Sequence, residues 1–148
     1  MAKIKPLKQS GLFSSLTDRE LALFSRVISE NECAPDTVLV TENTKNKNFV
    51  FIEKGKVTIH SQGQDSNEVC ELVGGDTFGE WAILAPDHLT SVSIKVTETS
   101  KLLVLTSADF DKFAKDEPGI ALKIQKDLIK SAWQSMEELR DILLGDKE

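Results

Sequence analysis

Apolar and polar positions divide the chain into three stretches. Residues 8–34 carry helical spacing, residues 35–106 a series of short strand-like segments, and residues 107–144 helical spacing again. In the first stretch Thr17-Asp18-Arg19-Glu20 precedes an apolar run. Thr17 can accept a hydrogen bond from the Glu20 amide while Glu20 reaches back, which is a capping box. Leu21, Leu23, Phe24, Val27 and Ile28 then give the helix one buried face. Leu12, Phe13 and Leu16 are placed to pack against it, and Pro35-Asp36 is the predicted break.

The period changes in the middle stretch. Thr37–Thr41 is rich in β-branched residues, Phe49–Ile52 is a short apolar strand, and Val57–His60 alternates apolar with polar. Glu42–Asn48 reads as a hydrated loop, Glu53–Lys56 as a turn around Gly55, and Ser61–Asn67 as a polar hairpin loop. Val69–Val73, Thr77–Leu84, Val92–Val96 and Leu102–Leu105 follow. Many short strands with frequent turn residues predict a barrel or sandwich.

The last stretch opens with Ser107 as the predicted N-cap and Asp109 in the first turn. Phe110, Phe113 and Ala114 form a buried face, and Pro118-Gly119 interrupts the helix. A second helix is predicted from about Ile120 to Leu144, stopped by Gly145. Within it Leu122, Gln125, Ile129, Ala132, Met136, Leu139 and Leu143 alternate at spacings of 3 and 4, a heptad seam. Ile120, Ile124, Leu128, Trp133 and Ile142 widen the apolar surface beyond one seam. One stripe is expected on the β-structure and the other on a second copy, giving a homodimer through this helix. The chain is then one structural unit, with residues 1–118 carrying the strands and shorter helices and 119–148 the long helix.

Composition narrows the function. The chain has 148 residues, 40% hydrophobic and 28% charged, with a formal net charge of −6. Its lysines are scattered among acids and its arginines are Arg19, Arg26 and Arg140, so direct nucleic-acid binding is not expected. No apolar segment follows the early lysines Lys3, Lys5 and Lys8, and no run approaches the roughly 18–20 residues of a membrane span. A cytoplasmic protein without a membrane anchor is the expectation. Cys33 and Cys70 form no CxxC pair, and with His60 and His88 they make a poor metal set. Cys70 is expected to be buried, and both histidines to be exposed. No nucleophile–base pair or paired carboxylates stand out, so neither catalysis nor a cofactor is expected.

The informative segment is Phe78-Gly79-Glu80-Trp81-Ala82-Ile83-Leu84, after Gly74-Gly75-Asp76. A glycine ahead of a short helix leaves backbone N–H groups facing outward, and such a terminus favours an anion. A carboxylate at Glu80 can accept from sugar hydroxyls, so the set suits a ribose phosphate. Alternatively Glu80 caps local amides and Gly79 is a turn glycine at positive φ.

Here the chain resembles the cyclic nucleotide-binding domain family. The likeness spans nearly the whole sequence: Leu12-Phe13 with Leu16, Gly55, the Gly-Asp-x-Phe-Gly-Glu-x-Ala run from Gly75 to Ala82, and the helix after Ser107. It implies an α+β fold, a β-roll (double-stranded β-helix or jelly roll) flanked by N-terminal helices and a long C-terminal helix. It also implies a phosphate-binding cassette, with Gly79 and the amides of Glu80 and Ala82 on the phosphate and the Glu80 carboxylate on the ribose 2′-hydroxyl. Family cassettes end with an arginine and a small residue. Aligned on Val92–Val96, those positions fall on Thr90 and Ser91, so the arginine is missing.

The ligand-site candidates are therefore Phe78, Gly79, Glu80, Ala82, Thr90 and Ser91. A hydrogen bond to a charged group contributes roughly 1.5–3 kcal/mol. Loss of a bidentate arginine lowers affinity by about one to two decades, and Asp87 adds repulsion. The resulting expectation is a regulatory module with a degenerate site, acting mainly through contacts with a protein partner of unknown identity. The alternative is a sensor of cyclic AMP or cyclic GMP that moves its C-terminal helix.

Overall fold

A computed structural model describes residues 3–61 and 68–144. The expected loop over residues 62–67, the stop at Gly145 and the side chains of Leu139 and Ile142 lie outside what it describes. The chain opens with α1 (Ile4–Ser10) and α2 (Asp18–Ser25). Six strands follow: β1 (Ser29–Cys33), β2 (Val38–Val40), β3 (Asn48–His60), β4 (Glu68–Val73), β5 (Thr77–Phe78) and β6 (Ser93–Thr106). The short α3 (Trp81–Leu84) lies between β5 and β6, and α4 (Ser107–Asp116) and α5 (Pro118–Leu143) close the chain.

Two long strands organise the β-roll. β3 and β6 pair antiparallel from Asn48↔Thr106 to His60↔Ser93. β1 extends the sheet along the second half of β6 and β2 along its first half. β5 pairs with the first half of β3 and β4 with its second half. The four apolar residues Phe49–Ile52 are buried on both faces, which explains why they do not alternate with polar ones. Phe49 and Phe51 face the helices in one core with Phe13, Phe24, Phe110 and Phe113. Val50 and Ile52 face the interior of the roll with Val57, Val96 and Leu102. Phe24 is fully buried, its ring 5.2 Å from that of Phe13 in an edge-on arrangement. Burial of one such side chain contributes about 1.5–3 kcal/mol.

Several expectations need correction. The first helical stretch is two helices, beginning at Ile4, and α2 ends at Ser25; residues 29–33 form an edge strand held by β6. Phe49–Ile52 and Val57–His60 are one strand, not two joined by a turn. Gly55 lies within it at φ +112°, where the register shifts, because a Cβ there would come within 2.6 Å of the Ser100 Cα. Val92–Val96 and Leu102–Leu105 likewise belong to one strand, β6. The N-cap of α4 is Thr106, whose hydroxyl accepts from the Asp109 amide, rather than Ser107. Cys70 is exposed, lying on the edge strand β4, and Cys33 is half-buried. His60 is half-buried, with its Nε2 2.8 Å from the Thr58 hydroxyl. The capping box at Thr17 and Glu20 forms as expected.

Candidate functional site: the cavity beside the short helix

The turn from β5 into α3 is fixed by steric necessity at Gly79. Its φ is +85°, and a Cβ there would lie 2.2 Å from the Asn48 carbonyl oxygen. The Asn46 amide braces the same spot, donating to the Asn48 carbonyl at 2.8 Å and accepting from the Asn48 N–H at 3.1 Å. The turn glycine is thus required by the backbone whatever it binds. In α3 the amides of Ala82 and Ile83 donate to the carbonyls of Gly79 and Glu80. The preceding amides, of Glu80 and Trp81, belong to the first turn, where no intrahelical acceptor exists.

A cavity of about 210 Å³ lies beside this turn. Phe78, Gly79 and Ala82 line it from β5 and α3, and Thr90 and Ser91 from the approach to β6. These five of the six residues proposed from sequence are thus brought together. Glu80 turns aside, its Oε2 accepting from the Thr77 hydroxyl at 2.9 Å, and no side chain caps α3. That hydroxyl, not the local backbone, is its partner. Sequence reasoning missed the rest of the lining, which includes Val40, Asn46 and Ile94. The apolar members left no signal beyond strand alternation, and Asn46 stood in a polar run read as a plain connection.

Electrostatics at the cavity are weak. Among the described residues, its lining includes no lysine or arginine. Thr90 donates its hydroxyl to the Thr41 carbonyl at 2.8 Å. Its N–H and C=O bond to Thr44 and Asn43, so the residue is a staple of the 41–44 loop. Asp87 is answered by Lys45 at 3.5 Å, both exposed. His88 is exposed, with its ring 5.9 Å from that of Trp81.

The seam residues of α5 fall on two surfaces. Ile120, Ala121, Ile124 and Leu128 are buried against the roll and α4. Leu122, Ile129, Met136 and Leu143 are exposed, as is Trp133, and Ala132 is half-buried. Two polar ties hold the first half of α5 in place. Lys123 donates to both Glu20 oxygens at 2.9 and 3.1 Å, and Asp127 accepts from the Ser15 hydroxyl at 2.5 Å. The Thr17 amide and Lys123 hold the Glu20 carboxyl below the usual carboxylate range.

A glycine turn between β5 and a short helix, set in an antiparallel roll with a long closing helix, matches one known pattern. The family described as "Cyclic nucleotide-binding domain" matches residues 30–117. The chain belongs to the cyclic nucleotide-binding domain family. Family members of this kind are regulatory domains rather than catalytic ones.

The Pycsar effector protein PaPycTIR of Pseudomonas aeruginosa is 33% identical over 100 residues, covering 66% of this chain and 31% of that protein. A cGMP-dependent protein kinase of Drosophila melanogaster is 26% identical over 144 residues, covering 95% of this chain and 15% of the kinase. The chain therefore spans less than a third of the length of either relative. A cyclic nucleotide-binding domain from Methylobacillus flagellatus superposes with a TM-score of 0.78 at 16% identity, over 90% of this chain and 75% of that one. That likeness shows the fold. Among the described residues no helix is long and apolar enough to cross a membrane.

Proposed function

We propose that this cyclic nucleotide-binding-type domain is a non-catalytic regulatory module whose phosphate site is degenerate. It works mainly through protein contacts and forms a homodimer through α5. The observation that carries the reading is at Thr90. Where the family's arginine would pair with a cyclic phosphate, the Thr90 hydroxyl is committed to the Thr41 carbonyl. No cationic lysine or arginine lines the cavity among the described residues. An anion there would be met by helix amides alone, with a share of the affinity missing. The exposed apolar stripe of α5 supports protein contact as the output.

A second reading is a working cyclic AMP or cyclic GMP sensor. It is favoured by the open cavity and by the placement of Gly79, Ala82 and Ser91 along it. Isothermal calorimetry against both nucleotides, up to millimolar concentration, separates the two. Silence at micromolar concentration is the expected result. Saturable micromolar binding, lost when Glu80 or Gly79 is replaced, would overturn the degenerate reading in favour of the sensor.

A further inference from the structure

A separate cavity, of about 280 Å³, is bounded by three segments distant in sequence: the link from α1 to α2, the turn from β4 into β5, and the middle of α5. It shares no lining residue with the cavity beside α3. Two glycines keep it open. Gly11 and Gly75 turn at φ +72° and +97°, and a Cβ at either would meet nothing within 4 Å.

The lining is polar. Leu12 is its one large apolar side chain among the described residues, so a flat base or an acyl chain finds no apolar wall there. Lys130 and Asp127 are the charged residues of the lining. Lys130 is exposed and has no ion-pair partner among the described residues, although Asp127 stands three positions earlier on the same helix face. The Ser15 hydroxyl donates to Asp127 Oδ2, which holds the carboxylate in place and leaves Oδ1 to accept from elsewhere. The side chains of Ser14, Ser131 and Gln134, also on the lining, make no hydrogen bond among the described residues. An ammonium, a carboxylate oxygen, two hydroxyls and a carboxamide thus border one space with bonding capacity to spare.

We propose that this cavity binds a small anionic sugar, its phosphate or carboxylate on Lys130 and its hydroxyls on Asp127, Ser131 and Gln134. The lone cation selects one anionic group. The surrounding donors and acceptors select several hydroxyls, and the polar walls select against a nucleobase. A volume of about 280 Å³ is just below the roughly 300–1,000 Å³ of drug-sized pockets, which suits a single sugar unit. The site does not depend on how the cassette is read. Lys123 and Asp127 already tie the first half of α5 to the N-terminal segments. A ligand on Lys130 and Gln134 extends those ties along the helix and bridges it to the turn at Gly75.

The test is calorimetry on the full chain, with glucose 6-phosphate, gluconate, glucose and inorganic phosphate as probes, and each variant's fold checked by its melting temperature. Saturable binding of at least one of the two anionic sugars is expected, tighter than that of glucose or of inorganic phosphate. Lys130→Gln weakens the anionic sugar by roughly tenfold to a hundredfold and leaves glucose unchanged. Gln134→Ala weakens both by roughly three- to tenfold. Amide chemical shifts place the ligand: those of Gly11, Gly75 and Ser131 move, and those of Ser91 and Ile94 in the other cavity do not. Phosphate binding as tightly as the sugar phosphate would overturn the sugar assignment, as would tighter binding of an amino acid such as alanine. Binding that ignores both variants, or no binding of any probe at millimolar concentration, would overturn the site itself.

Discussion

The Thr90 hydroxyl donates to the Thr41 carbonyl at 2.8 Å, binding the approach to β6 to the loop after β2. On the proposed reading of a degenerate site, Thr90 has exchanged a ligand contact for a structural one. Its backbone bonds to Asn43 and Thr44 lie at the same junction.

Restoring the charge tests that exchange. Thr90→Arg removes the bond to Thr41, lowering stability by roughly 1 kcal/mol. It also places a guanidinium at the cavity, and the affinity for cyclic AMP is expected to rise by about one to two decades. Calorimetry reads the affinity and urea unfolding the stability. A variant that folds and binds no better than the natural chain would show that the missing charge is not what weakens the site.

The glycines of the cassette separate backbone necessity from empty space. Gly79 combines φ +85° with a Cβ position 2.2 Å from the Asn48 carbonyl, so both strain and overlap oppose a side chain. Gly79→Ala is expected to lower stability by about 3 kcal/mol or more. Gly75 has φ +97°, and a Cβ added there would meet nothing within 4 Å. Gly75→Ala should lower stability by only about 1–2 kcal/mol, from backbone strain alone. Equal melting temperatures for the two variants would contradict this ranking.

Much of this arrangement was legible in the residues, and the failures have physical causes. The capping box at Thr17, the break at Pro118 and the glycine turn at Gly79 depend on local chemistry, which short segments carry. β1 does not. Ser-Glu-Asn-Glu-Cys lacks β-branched residues and is largely exposed, so it becomes a strand only because β6 offers a free edge from Ser100 to Val104. Gly55 reads as a turn until Ser100 is seen against it, a contact across more than forty residues. The pairing of Glu80 with Thr77, and of Thr90 with Thr41, likewise required the folded loops to be known.

The tie between α2 and α5 predicts a pH dependence. Glu20 caps α2 through the Thr17 amide and accepts from Lys123, and both lower its folded-state pKa. A carboxyl whose pKa is depressed on folding contributes stability above its unfolded value, near 4.3, and loses it as pH falls through the folded value. Glu20→Gln keeps much of the geometry without the charge. The natural chain is expected to be the more stable at pH 7, and the gap to close below about pH 4. Urea midpoints at the two pH values check this. A gap that is unchanged in acid would assign the effect to packing instead.

Adjacent residues of α5 divide its two tasks. Leu128 is fully buried against the core of the roll, whereas Ile129 is 55% exposed in the groove lined by Trp81. Leu128→Ala leaves a cavity in a surface that cannot collapse freely, and is expected to lower stability by about 2–5 kcal/mol. Ile129→Ala removes apolar area that the monomer does not bury. Its effect on monomer stability should stay within about 0.5 kcal/mol, while self-association weakens. Because association itself raises apparent stability, the unfolding measurement belongs at a concentration where the monomer dominates. Sedimentation at higher concentration then reads the association. If Ile129→Ala destabilises the dilute monomer as much as Leu128→Ala does, the exposed stripe serves the fold of the single chain and not a partner.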